Sequence, residues 1–198
     1  MSHYTQFFGF RTRPFDPHGT HSPVMGTEPL QKAFDQIRSA LERDVPVILL
    51  QGLPGVGKTS LARAMPKLLA GQRRILTLKN PGLEELEEAL HAIDSIRDPG
   101  DSEPVAPAFV FDDAENASEE FLERLSGVLS DWTESPGLAC ILIMTQTSNG
   151  IGVQAGVPPT LDGLVSKEIF IESLSCAGTQ RYIEKHLQRA GEAIEDLF

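Results

Sequence analysis

The sequence predicts a three-layer α/β/α domain around a five-stranded parallel sheet, and three observations carry that expectation. Short apolar runs alternate with amphipathic helical stretches along nearly the whole chain, the pattern of strands joined by right-handed crossovers and covered on both faces. One run, Val47 to Leu50, leads into Gly52-Leu53-Pro54-Gly55-Val56-Gly57-Lys58-Thr59-Ser60, which satisfies G-x-x-x-x-G-K-[ST] at each fixed position. Another, AFVF at 108–111, ends in the pair Asp112 and Asp113.

Residues 1–26 are rich in aromatics, Pro, Gly and His and keep no period, so they form an arm wrapped on the domain that residues 27–198 make up. Phe7, Phe8, Phe10 and Phe15 are its expected anchors. Thr27 offers an N-cap, Glu28 and Pro29 suit a first turn, and Leu30, Phe34, Ile37 and Leu41 recur at helical spacing, which gives a helix near 28–43. A helix follows the glycine loop from about 58, and Pro66 is expected to shorten or bend it. Ile75, Leu76 and Leu78 mark a second strand, and Leu83, Leu86, Leu90 and Ile93 mark an acidic amphipathic helix. After an exposed loop at 98–107 comes the strand that ends at the two aspartates. A helical stripe follows, from Phe121 through Leu125 and Leu129 to Trp132. Leu138–Met144 is a fourth strand and Ile169–Ile171 a fifth, separated by a loop at 147–160. The last helix is expected over about 179–190, stopping at Gly191.

Composition narrows the function classes. With 198 residues, 40% hydrophobic and 23% charged, the chain suits one folded domain. No apolar run approaches the ~20 residues of a membrane-spanning helix, and the start has no secretory pattern, so a cytoplasmic location is the expectation. Two cysteines, Cys140 and Cys176, have no metal-ligand spacing. A net charge of −11 repels phosphate backbones and makes nucleic acid an unfavoured partner. A mononucleotide escapes that objection, because a glycine loop uses local amides and one lysine rather than the global field.

The loop specifies a triphosphate and a cation. Glycine is required where N–H groups turn inward and a Cβ would clash or forbid positive φ. Gly52, Pro54, Gly55, Val56, Gly57 and Ser60 would wrap the phosphates, Lys58 would reach the β and γ groups, and Thr59 would place its hydroxyl on Mg²⁺. A lysine at a helix start opposes the helix dipole, which an anion relieves. Asp112, closing a buried strand, is read as the second metal ligand. By residue type alone Asp113 suits a cap or turn, but a strand closing on two acids resembles the Walker B element of P-loop ATPases, which implies that Asp113 orients the attacking water, with Glu115 a more distant candidate. Val24 and Met25 are expected to touch the base of ATP or ADP.

The segments YTQFFGFRTRPF (4–15), the loop at 52–60, FDDAEN (111–116) and YIEKHLQRAG (182–191) together resemble the A-type ATPases of general (type II) secretion and related transposition-regulating ATPases, within the AAA+ class. That resemblance implies sheet order 5-1-4-3-2, with the aspartate strand separated from the loop strand by one strand. It also implies a polar sensor at Thr145 or Gln146 and a second acid, usually Glu, at Asp113. It further implies an oligomeric ATPase that assembles or regulates a protein complex, with a C-terminal helical lid that this chain lacks or carries truncated. Lys185 and His186 stand around the place where relatives carry an arginine, and no arginine occurs from Leu125 to Gln180 to supply a trans-acting finger. A slow or non-catalytic nucleotide switch that binds a protein partner is the alternative.

Overall fold

The computed structural model describes residues 3–11, 13–15, 27–79, 82–96, 106–133, 138–145, 147–148, 153–154 and 158–191. Five strands form one sheet: β1 (Val47–Gly52), β2 (Arg74–Lys79), β3 (Pro107–Asp112), β4 (Ala139–Thr145) and β7 (Lys167–Ile171). Their spatial order is β2-β3-β4-β1-β7, and every pair is parallel. This is the expected 5-1-4-3-2 order read from the opposite edge. Strands β1, β3 and β4 are buried on both faces, which is why they read as continuous apolar runs rather than alternating ones.

Period-2 alternation divides the core. Ile48, Leu50, Ala108, Val110, Ile141 and Ile143 point toward helices α2 (Glu28–Glu42) and α3 (Lys58–Leu68). Val47, Leu49, Phe109, Phe111, Cys140 and Leu142 point toward α4 (Leu83–Ile96) and α5 (Glu119–Thr133). Phe111 meets Phe121 of α5 edge to face at 5.6 Å.

Several boundaries depart from expectation. Pro66 lies inside α3 without ending it. A proline in a helix interior costs ~3 kcal/mol, but Leu61, Met65 and Leu69 are almost wholly buried around it, and each such burial returns ~1.5–3 kcal/mol. Packing therefore outweighs the lost hydrogen bond. Thr27 occupies the α2 N-cap in extended conformation but makes no side-chain cap bond. The last helix, α6 (Cys176–Ala190), starts three residues early because Ser175 Oγ accepts from the Gly178 amide. The 147–160 segment contains a short hairpin, β5 (Thr147–Ser148) with β6 (Val153–Gln154). The buried Cys140 thiol is held well above its ordinary pKa by desolvation, which leaves it unreactive.

Of residues 1–26, those described form a short helix, α1 (His3–Phe7), and a segment whose Arg11, Pro14 and Phe15 meet α6. Arg11 N donates to Ala190 O at 2.6 Å, and the Pro14 carbonyl meets His186 Nδ1 at 2.7 Å. The four expected anchors divide. Phe15, though 51% exposed, stacks on His186, Phe10 lies beside Gly191, and the half-exposed Phe8 reaches α6 only through Phe10, at 5.9 Å. Phe7 is 82% exposed, so aromatic content alone overcounted the contacts.

Candidate nucleotide site

The site forms at the carboxyl ends of the parallel strands, where loops diverge and leave a crevice. Strand β1 runs into the glycine loop, and the loop feeds α3 directly, with Gly57 as its N-cap in left-handed conformation, φ 103°. Gly55 also has positive φ, 83°. A Cβ at Gly52 would meet Val56 Cγ2 at 2.9 Å and the Ile171 carbonyl at 3.1 Å. One at Gly57 would meet Leu30 Cδ1 at 2.9 Å. Gly57→Ala should therefore destabilise the fold by roughly 1–3 kcal/mol, lowering Tm by several degrees in thermal unfolding without nucleotide. An unchanged Tm would show that the loop does not need this conformation.

Lys58 is buried at the first position of α3. Its Nζ donates to Gly52 O at 2.9 Å and to Leu53 O at 3.0 Å. Desolvation lowers its pKa from the ordinary lysine value, while Glu115, Asp112 and Asp113, in that order, pull it back up. Thr59 Oγ1 donates to Asp112 Oδ1 at 3.3 Å. Asp112 is almost fully buried at the end of β3, and burial raises its pKa, partly offset by the Thr59 hydrogen bond.

Asp113 follows in left-handed conformation, φ 60°, heading a short turn at Ala114–Asn116 without making a side-chain cap bond. Its carboxylate lies 3.7 Å from Lys79 Nζ instead. The cap role left open by the sequence is thus not what its side chain does. Strand β4 lies between β1 and β3, and its last residue, Thr145, pairs with Gly52. Gln146, Val24 and Met25 lie outside the described residues.

A cavity of about 400 Å³ opens beside the loop, lined by Pro54, Gly55, Val56, Gly57 and Ser60 on one side and by Leu30, Leu174 and Tyr182 among others opposite. Sequence reasoning missed Lys79, Leu174 and Tyr182. Lys79 was within reach of the sheet order, which sets β2 beside β3 and pairs Lys79 with Asp112. Tyr182 was visible in the YIEKHLQRAG segment, but nothing local shows which face of α6 meets the loop.

No family model matches the chain, and no curated protein does. Solved structures do match. Cdc6p of Pyrobaculum aerophilum aligns at TM-score 0.63 and 14% identity, over 88% of this chain and 52% of that one. ORC1 of Aeropyrum pernix, solved in complex with DNA, aligns at 0.57 and 14%, over 86% and 52%. PCH-2 of C. elegans aligns at 0.51 and 16%, over 74% and 43%. The chain spans about half the length of these structures or less. At such identities the likeness shows the fold, which is that of the AAA+ P-loop ATPases. The resemblance to secretion and transposition ATPases gains no support beyond that class. Nor does the expectation against nucleic acid gain support from these comparisons. Among the described residues no helix is long and apolar enough to cross a membrane.

Proposed function

We propose that residues 27–198 bind ATP and ADP with Mg²⁺, hydrolyse ATP slowly, and use the nucleotide state to assemble or regulate a protein complex as an oligomer, with residues 1–26 as an arm on that domain. The observation that carries this reading is the Thr59 hydroxyl beside the buried Asp112 carboxylate, directly below a loop held open by positive-φ glycines. Two hard oxygens at one point fit Mg²⁺, which takes one or two protein oxygens and completes its shell with phosphate and water. A bound Mg²⁺ would neutralise charge on the β and γ phosphates.

The chain's own groups have distinct tasks in this reading. Lys58 exchanges its two carbonyl acceptors for phosphate oxygens, and the amides of Gly55 to Thr59 donate to them at the start of α3. Leu30, Leu174 and Tyr182 enclose the base, the last with its ring. Asp113 takes the proton of the attacking water, and Thr145 stands at the γ-phosphate end. The alternative, a nucleotide switch with little hydrolysis, is favoured by one feature, the ion pair that draws Asp113 toward Lys79.

Asp112→Asn tests the metal half of the proposal. A neutral amide is a poorer ligand for a hard cation, so affinity for ATP with Mg²⁺ should fall about tenfold or more, while affinity without metal stays put. The same variant should change stability. The folded-state pKa of Asp112 is raised, so the unfolded chain loses this proton first as pH rises, and stability falls from the ordinary carboxylate range up through the raised value. Removing the buried charge should therefore raise Tm at neutral pH and leave it unchanged in acid. Equal Mg²⁺ dependence in both proteins would return Asp112 to a structural role.

A further inference from the structure

The arm reaches the nucleotide cavity through three aromatic rings and one hydrogen bond. Tyr182 lines the cavity, and its ring centroid lies 4.3 Å from that of His186 on the next turn of α6. His186 is buried and stacks on Phe15 of the arm at 5.2 Å with the planes 27° apart. Its Nδ1 stands 2.7 Å from the Pro14 carbonyl, a link across 172 positions of sequence.

That carbonyl can only accept, so the imidazole carries its proton on Nδ1. Nε2 is buried and has no hydrogen-bond partner among the described residues. A leucine would fill the same space with no orphaned nitrogen, and an unsatisfied buried polar atom is costly. What histidine adds is the donor to Pro14 and a flat ring that meets both Phe15 and Tyr182, whose own centroids lie 6.4 Å apart. Its neighbours set the geometry on both sides: the arm is tied independently by Arg11 N to Ala190 O, and Tyr182 reaches the cavity wall with its ring already restrained.

We infer that His186 is a positioning residue, which clamps Pro14 and Phe15 against α6 and thereby fixes Tyr182 at the cavity, so that docking of the arm sets affinity for the base of the nucleotide and not for its phosphates. This rests on the reading that the cavity takes the base. A free tyrosine on a helix surface loses rotamer freedom when a ligand stacks on it, and that cost lowers affinity. Here the cluster of Phe15, His186 and Tyr182, in which each ring meets the other two, has already removed that freedom. Lys58 is held by the Gly52 and Leu53 carbonyls and not by these rings, so phosphate binding should be independent of how the arm docks.

The experiment is calorimetric titration of the 198-residue chain with ATP and, separately, inorganic tripolyphosphate, both with Mg²⁺. His186→Ala should weaken ATP about fivefold to tenfold and leave tripolyphosphate within about twofold. His186→Asn, whose amide nitrogen stands near the Nδ1 position and still donates to Pro14, should recover part of the loss. Phe15→Ala removes only a half-exposed ring, so it does not threaten the fold, and it should weaken ATP in the same selective way. Combined with His186→Ala it should add less than its effect alone, because both rings belong to one three-way cluster around Tyr182. Equal weakening of both ligands, or no change for either, would overturn the inference. So would a wild-type chain that binds tripolyphosphate as tightly as ATP, which leaves the phosphate site standing without a base contribution. Wild-type protein that binds neither ligand would instead overturn the nucleotide reading itself.

Discussion

Lys58→Ala is expected to lower affinity for Mg·ATP by about 100-fold or more, since charge-assisted hydrogen bonds contribute roughly 1.5–3 kcal/mol each and the side chain would make more than one. The structure gives the test a sharp alternative. Lys58 Nζ already donates to the Gly52 and Leu53 carbonyls, so the lysine could serve only to hold the loop. In that case its removal would lower Tm while nucleotide affinity survived. If it serves the phosphates, Tm should hold or rise, because a buried ammonium whose pKa is lowered by desolvation disfavours the fold. Calorimetry and thermal unfolding on the same preparation separate the two outcomes.

Asp113→Asn should leave ATP affinity within about threefold and lower turnover about 100-fold or more, the usual effect of losing a general base. Wild-type turnover is itself expected well below the ~1–100 s⁻¹ typical of kinases. Asp113 is one methylene shorter than the glutamate its position resembles, and its carboxylate leans toward Lys79. An ion pair with Lys79 more than half exposed contributes less than ~1 kcal/mol, so it can break without limiting the rate by more than about fivefold. Single-turnover hydrolysis in the Asn variant at the wild-type rate would remove Asp113 from the chemistry. Glu115, the acid whose charge acts most strongly on Lys58, would then be the group to substitute next.

The parts of this molecule that were legible in the sequence share one physical property, that a local pattern fixes them. Strands buried on both faces must be apolar throughout, so β1, β3 and β4 could be placed from Val47–Leu50, AFVF and Leu138–Met144. A loop that turns its amides inward must have glycine at Gly55 and Gly57, and both have positive φ. What escaped depended on long-range packing. Pro66 reads as a place where α3 shortens or bends, and the helix runs two residues past it to Leu68 on the burial of Leu61, Met65 and Leu69. Ser175 starts α6 early through one hydroxyl, a signal too short to stand out in a polar stretch. Phe7 reads as an anchor because aromatic content does not tell a buried ring from a presented one, and it is 82% exposed. The opposite wall of the cavity, Leu174 and Tyr182, comes from a segment more than a hundred residues beyond the loop, and only the placement of β7 beside β1 brings it there.

Titration of ATP into the unmodified chain, with and without Mg²⁺, tests the central claim most directly. The account predicts one saturable site in about the micromolar range, tightened by the metal and competed by ADP. Heats that match dilution up to millimolar ATP, in protein shown to be folded, would contradict it.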